Sequence, residues 1–231
     1  MNEQLIGGNM INKQYDAVIF DLDGTLIDSM WVWEKLDEAF LGELNIPVPQ
    51  DMNKELEGKS FTESAIYFKE RFKLEMSIEE IMQKWNDTAK DLYMHKVPLK
   101  KGVKEFIEAL KQNGIKMGIA TSNSIELVNI VLKALEIEPY FMQVRTSCEV
   151  GKGKPFPDIY LKVADDLQVK PERCLVFEDI PNGVRAGKNA GMTAWCIRDR
   201  QEEVLWEEAK SVADDYAEDY FEVMKKLGMN S

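Results

Sequence analysis

Asp21 and Asp23 stand on either side of Leu22, directly ahead of Gly24 and Thr25. At the end of an extended segment, residues two apart face the same side, so both carboxylates can address one point. Gly24 lets the backbone turn sharply after them. Two carboxylates held this close repel unless a cation sits between them. Glu178 and Asp179 form a second acidic pair far along the chain. Together these residues make an all-oxygen donor set with no His or Cys, the hard-ligand chemistry that selects Mg²⁺. Lys154, in Gly151-Lys152-Gly153-Lys154-Pro155, offers an ammonium. At about 4 Å in an effective dielectric of about 20, such a group is worth about 4 kcal/mol against a unit negative charge. Thr121 and Ser122 offer hydroxyls, followed by Asn123 and a helical pattern whose first N–H groups suit an anion. Each cluster alone has a plainer explanation, since strands commonly end in Asp, Ser or Asn as turn and cap residues. Lys154 alone reads equally well as a solvated lysine.

The elements behind these residues bring the clusters together. Short apolar runs read as buried parallel strands at Tyr15–Phe20, Lys116–Thr121, Cys174–Phe177 and, more weakly, Thr193–Ile197, with Met142–Thr146 as a fifth candidate. Three of them end in the polar clusters above. Helical patterns lie between them at Val103–Gln112, Ile125–Leu135, Ile159–Asp166 and Gly183–Asn189. This alternation predicts an α/β fold: a Rossmann-like, open, mostly parallel sheet with helices on both faces. From Ser29 to about Pro98 only helical patterns occur, at Trp31–Leu44, Thr62–Phe72 and Ile78–His95. The expected organisation is a flexible tail at 1–14, a catalytic core of 15–28 and 99–231, and an inserted all-helical cap of 29–98. Ligands of such sheets bind beyond the carboxyl ends of the strands, so the insertion would cover the crevice, hinged near Ser29 and Pro98. Asp215–Ser231 reads as a last surface helix, with Lys225 and Lys226 near its end.

Composition bounds the function. The 231 residues are 45% hydrophobic and 30% charged, which excludes a disordered chain, a collagenous repeat and a small disulfide scaffold. A formal net charge of -12 repels phosphodiester backbones and argues against a nucleic-acid partner, while leaving room for a small phosphorylated metabolite in a locally cationic pocket. No apolar run reaches the roughly 18 residues of a membrane span, and the first fourteen residues lack the features of a signal peptide. Cys148, Cys174 and Cys196 form no CxxC pair, and the last two sit in strand-like runs where a buried thiol is expected. A cytoplasmic, reduced protein with no membrane or nucleic-acid partner follows, expected as a monomer or weak dimer.

Four stretches carry a resemblance: DLDGTL at Asp21–Leu26, Thr121-Ser122-Asn123, GKPFPDIY at Gly153–Tyr160, and EDIPNGVRAGKNAGM at Glu178–Met192. In this order, across about residues 15 to 200, the chain resembles the haloacid-dehalogenase-like phosphohydrolases. The insertion resembles the helical cap of the subgroup holding small-molecule phosphatases and β-phosphoglucomutase. The resemblance implies that Asp21 is a nucleophile forming an aspartyl-phosphate and that Asp23 is the general acid and base. It implies Mg²⁺ held by Asp21, the Asp23 carbonyl and Asp179, with Glu178 direct or through water. It also implies a phosphoryl site of Thr121, Ser122, Asn123 and Lys154. An Asp at position 23 is the pattern of the phosphatase and phosphomutase branch, since the dehalogenase branch lacks an acid there and the ion-pump branch carries Lys. Ile180 departs from relatives that carry Ser after the Glu-Asp pair.

Specificity is expected in the cap. β-Phosphoglucomutase-like sequences carry a His where Trp33 stands and an Arg where Phe61 stands, so two apolar rings argue against a mutase. Trp33 and Phe61 would stack on a sugar or base, or else pack inside the cap; Lys59 would touch substrate, or else be solvated. His95 is the only histidine, which excludes a triad or a multi-histidine zinc site. The leading expectation is a Mg²⁺-dependent phosphatase of a sugar or nucleoside phosphate. A hexose phosphomutase and a non-catalytic ligand-binding protein on the same fold are the alternatives.

Overall fold

The computed structural model describes Ile11 and residues 14–200 and 203–229. The expected tail at 1–14 therefore lies mostly outside the described residues; Ile11, which is described, is fully buried in the core.

β1 (Ala17–Phe20) is buried at all four positions and lies inside the sheet, as its unbroken apolar run requires. Among the described residues the sheet has six strands in the order β3-β2-β1-β4-β5-β6, every ladder parallel. The others are β2 (Lys116–Thr121), β3 (Gln143–Thr146), β4 (Cys174–Glu178), β5 (Thr193–Ile197) and β6 (Asp215–Ala217). The period-two rule of a strand divides the core between two faces. Val18 and Phe20 point into one cluster, with Phe106, Phe177 and Tyr220; Ala17 and Ile19 point into the other, with Ile159, Val163 and Val176. The expected α/β architecture is thus the observed one.

One expectation needs correction. The segment expected as a single helix from Asp215 begins as β6, followed by a helix at Tyr220–Lys226. Asp219 breaks the run, because its side chain caps that helix by accepting from Glu222 N at 3.0 Å. Ahead of β6 lies a helix the sequence did not suggest, Glu203–Val212, which buries Trp206 and Ala209 at i and i+3 beneath a charged exterior.

Between β1 and β2 the chain forms α1 (Met30–Glu43), α2 (Met52–Leu56), α3 (Phe61–Phe72), α4 (Ile78–His95) and α5 (Val103–Gln112). Ser60 and Ser77 start α3 and α4 with capping boxes that include Glu63 and Glu80. Phe40, Phe61, Phe68 and Trp85 interlock edge to face among α1, α3 and α4. The outgoing and returning connections run side by side, with Asp28 N donating to Pro98 O at 3.0 Å and Ile27 bridged antiparallel to Leu99. Cys174 and Cys196 are buried free thiols as expected, and His95 is exposed on α4. No helix among the described residues is long and apolar enough to cross a membrane.

Candidate active site

Asp21 directly follows β1, and its N–H donates to Phe177 O at 3.0 Å, which carries the β1–β4 ladder one residue further. That pairing sets Asp21 beside Glu178 and Asp179 at the end of β4. Ligand oxygens of Asp21, Glu178 and Asp179 lie within 4.8 Å of one another, all three residues buried. Two glycines make this approach possible. Gly24 adopts φ +78° and a β-carbon there would overlap the Asp179 carboxylate; a β-carbon at Gly183 would overlap that of Glu178. Thr25 Oγ1 donates to Asp179 Oδ1 at 3.2 Å. Lys100 holds the turn from outside, donating to Gly24 O at 2.7 Å and pairing with Asp199 at 2.6 Å.

Lys154 enters the cluster from the loop after the short helix Ser147–Val150, which follows β3. Its Nζ lies 2.6 Å from Asp21 Oδ1 and 2.5 Å from Glu178 Oε1, with the side chain 2% exposed. Tyr160, on the helix Asp158–Asp166, donates its hydroxyl to the same Glu178 oxygen. One ammonium thus serves two of the three buried carboxylates, Asp21 and Glu178. Burial pushes Asp21 up to about 8 despite Lys154, and burial with the neighbouring carboxylates pushes Asp179 well above the usual range. Burial pulls the Lys154 ammonium down, but Asp21 and Glu178 outweigh it and raise its pKa, so it remains charged. Glu178 Oε2 is buried with no partner. An orphaned carboxylate oxygen, hard oxygen donors and excess negative charge fit a small divalent cation such as Mg²⁺.

Asp23 faces away from this cluster. Its Oδ1 accepts from Ser29 Oγ at 2.6 Å and from the Tyr93 hydroxyl, and its Oδ2 accepts from Asn123 Nδ2 at 2.8 Å. Asn123 also receives Ser124 N on its Oδ1 at 2.6 Å, and its own N–H donates to Thr121 Oγ1 at 3.1 Å. The Asn123 side chain is therefore turned onto Asp23, and its N–H is engaged by Thr121. Ser122 Oγ is buried without a partner. Ser124 caps the next helix, Ile125–Ala134, and donates to Asn86 Oδ1 on α4 at 2.7 Å.

The residues expected to set specificity separate. Phe61 is 4% exposed and packs against Trp85 and Trp33, at 5.4 and 6.1 Å between ring centroids. Trp33 is half-buried and also meets the Tyr93 ring at 6.3 Å. Lys59 is half-buried beside Gly58, whose carbonyl accepts from Lys154 N at 2.7 Å. The same loop receives Asn182 N on Glu57 Oε1 at 3.2 Å. Ser29, Tyr93, Lys100 and Tyr160 join the site without having been singled out from sequence. Tyr160 lies within a stretch that was, seven residues after Gly153; Tyr93 carries no local signal on an amphipathic helix.

The profile of the family described as haloacid dehalogenase-like hydrolase matches residues 18–197. The chain is similar to a phosphorylated carbohydrates phosphatase of Thermotoga maritima, 31% identical over 177 residues, covering 77% of this chain and 82% of that protein. It is similar to a β-phosphoglucomutase of Bacillus subtilis, 33% identical over 189 residues, covering 77% and 81%. Its fold is similar to that of CbbY from Rhodobacter sphaeroides in complex with phosphate, with a TM-score of 0.80, 24% identity, and 93% and 100% of the two chains covered.

Proposed function

This chain belongs to the haloacid dehalogenase-like hydrolase family, and from that premise we propose that it is a Mg²⁺-dependent phosphatase of a small phosphomonoester, of the sugar phosphate class. The observation that carries this reading is the pair of differently housed acids two residues apart. Asp21 sits in the buried cationic and acidic cluster, and Asp23 sits outside it under three hydrogen-bond donors. Environments this different assign two carboxylates two roles.

Asp21, Glu178 and Asp179, with the Asp23 carbonyl, would hold the metal ion. Bound there, the ion neutralises the carboxylates and phosphoryl oxygens, which lowers the Asp21 pKa and leaves it ionised at neutral pH. Asp21 attacks phosphorus to form an aspartyl-phosphate, and Lys154 offsets charge on the phosphoryl group and on Asp21. The hydroxyls of Thr121 and Ser122 receive the remaining phosphoryl oxygens, the Asn123 and Ser124 N–H groups being already engaged within the turn. Asp23 protonates the leaving oxygen, then takes a proton from the water that cleaves the phosphoenzyme. Positioning and electrostatics of this kind supply most of the acceleration in phosphoryl transfer. Residues 29–98 act as a cap over the core of 15–28 and 99–231. Trp33 and Lys59 are the cap residues we assign to the organic part of the substrate; the packing of Phe61 among Trp33 and Trp85 supports a structural role for that ring instead.

The test is phosphate release from a panel of sugar and nucleoside phosphates, with Mg²⁺ and with chelator. Mg²⁺-dependent release that Asp21→Asn abolishes in a folded protein is the expected result. Isomerisation of β-glucose 1-phosphate only when a bisphosphate is added would replace this reading with a mutase. Saturable binding without turnover would leave a binding protein.

A further inference from the structure

Tyr93 lies in the last turn of α4, with its side chain fully buried. Its hydroxyl has one proton, donated to Asp23 Oδ1, and it accepts from Asn123 Nδ2 at 3.1 Å. The hydroxyl therefore has no proton left for a substrate atom. Ser29 Oγ donates to the same Asp23 oxygen at 2.6 Å, and Asn123 Nδ2 donates to the other at 2.8 Å. A carboxylate offers about four lone-pair sites. Three are filled here by donors from three separate segments: the connection entering α1, the end of α4, and the turn after β2. The open site is on Oδ2. Trp33, edge to face at 6.3 Å, holds the Tyr93 ring in place.

We propose that Tyr93 is a positioning residue for proton transfer at Asp23, fixing the rotation of that carboxyl so that the unfilled position on Oδ2 holds the acid proton towards the leaving oxygen and later receives one from water. The proposal rests on the phosphatase reading above. In the first step the Asp21 oxygen–phosphorus bond forms and the ester phosphorus–oxygen bond breaks, while the Asp23 proton passes to the departing oxygen. In the second, water adds its oxygen to phosphorus, its proton goes to Asp23, and the Asp21 carboxylate leaves. Both proton movements use the same carboxyl geometry, but the first matters only when the leaving oxygen is basic enough to need a proton.

Tyr93→Phe tests this, because it removes one oxygen and keeps the ring that Trp33 packs against. The probes are phenyl phosphate and p-nitrophenyl phosphate with Mg²⁺, which share a shape and differ in leaving-group basicity. The expected result is a fall in kcat on phenyl phosphate of about tenfold or more, with KM little changed. The rapid burst of p-nitrophenolate should stay within about twofold of the unmodified protein, since that step does not draw on the acid. Ser29→Ala, which removes the other donor to Oδ1, should show the same pattern. Equal losses in the burst phase of both esters would make Tyr93 a packing residue, and no loss in burst or turnover on either would make the hydrogen bond idle; both refute the proposal. An unmodified protein that releases phosphate from neither ester nor from any member of the sugar and nucleoside phosphate panel refutes the phosphatase reading, and this role falls with it.

Discussion

Lys154→Met removes the ammonium from the acidic cluster while nearly preserving side-chain length and volume, so its effect is electrostatic. At 2.5 to 2.6 Å from Glu178 and Asp21, each contact is worth about 6 kcal/mol in an effective dielectric of about 20. The desolvation cost of burying Lys154, which disappears with the charge, offsets much of that. Measured losses for one partner of a buried pair run to about 3–5 kcal/mol, because the remaining charges stay behind uncompensated. We expect a loss in that range, read by urea unfolding in metal-free buffer at neutral pH. With a slope of about 2–3 kcal/mol per molar, the midpoint falls by about 1–2.5 M. Glu178→Gln on the same background should restore a substantial part of the loss, since the two residues share one contact. Added Mg²⁺ should stabilise Lys154→Met more than the unmodified protein, because the ion then replaces the positive charge that Asp21 and Glu178 have lost. A loss below about 1 kcal/mol, or a second substitution that merely adds its own cost, would refute the view that Lys154 neutralises this cluster.

Three further outcomes follow from the same physics. Burial alone pushes the Asp37 carboxyl on α1 up to about 7 from 3.8. An acid raised on folding costs stability as pH rises through the unfolded value and levels off above the folded one. Asp37→Asn should therefore stabilise by about 2–4 kcal/mol at pH 8, shrinking towards nothing near pH 4, as compared by unfolding at both. Gly183→Ala places a β-carbon in the Glu178 carboxylate, so it should cost about 1–3 kcal/mol and reduce Mg²⁺-dependent turnover more than it reduces the melting temperature suggests. Ser60→Ala breaks the capping box of α3 and should cost about 0.5–2 kcal/mol by thermal unfolding.

The sheet was legible because β1, β2, β4 and β5 are apolar runs buried almost throughout, and such runs have few alternative structures. The acidic cluster was legible for a related reason: Asp21, Glu178 and Asp179 sit where those runs stop, so finding the strands also located the residues. β6 escaped notice because three residues, Asp215–Ala217, form it with one buried side chain. Tyr93 escaped because its hydrogen bond to Asp23 spans 70 residues of sequence and depends on how α4 lies against the β1 turn. Phe61 illustrates the limit of reading by position. Its place in the chain suggested a substrate contact, yet Trp85 and Trp33 enclose it, which only the packing of three helices reveals.

The strand order has a consequence for how the chain acquires its structure. β1 pairs on one side with residues from Lys116 and on the other with residues from Cys174. A ribosome emits Ala17–Phe20 early, but these residues gain their second neighbour only after about 160 more have appeared. Closing so long a loop carries an entropic cost before any pairing returns energy. The helices from Met30 to His95 bury their aromatic rings against near neighbours and can organise in the meantime. The mutually repelling carboxylates Asp21 and Asp179 are thus brought together late in synthesis, when the strands that hold them there are already available.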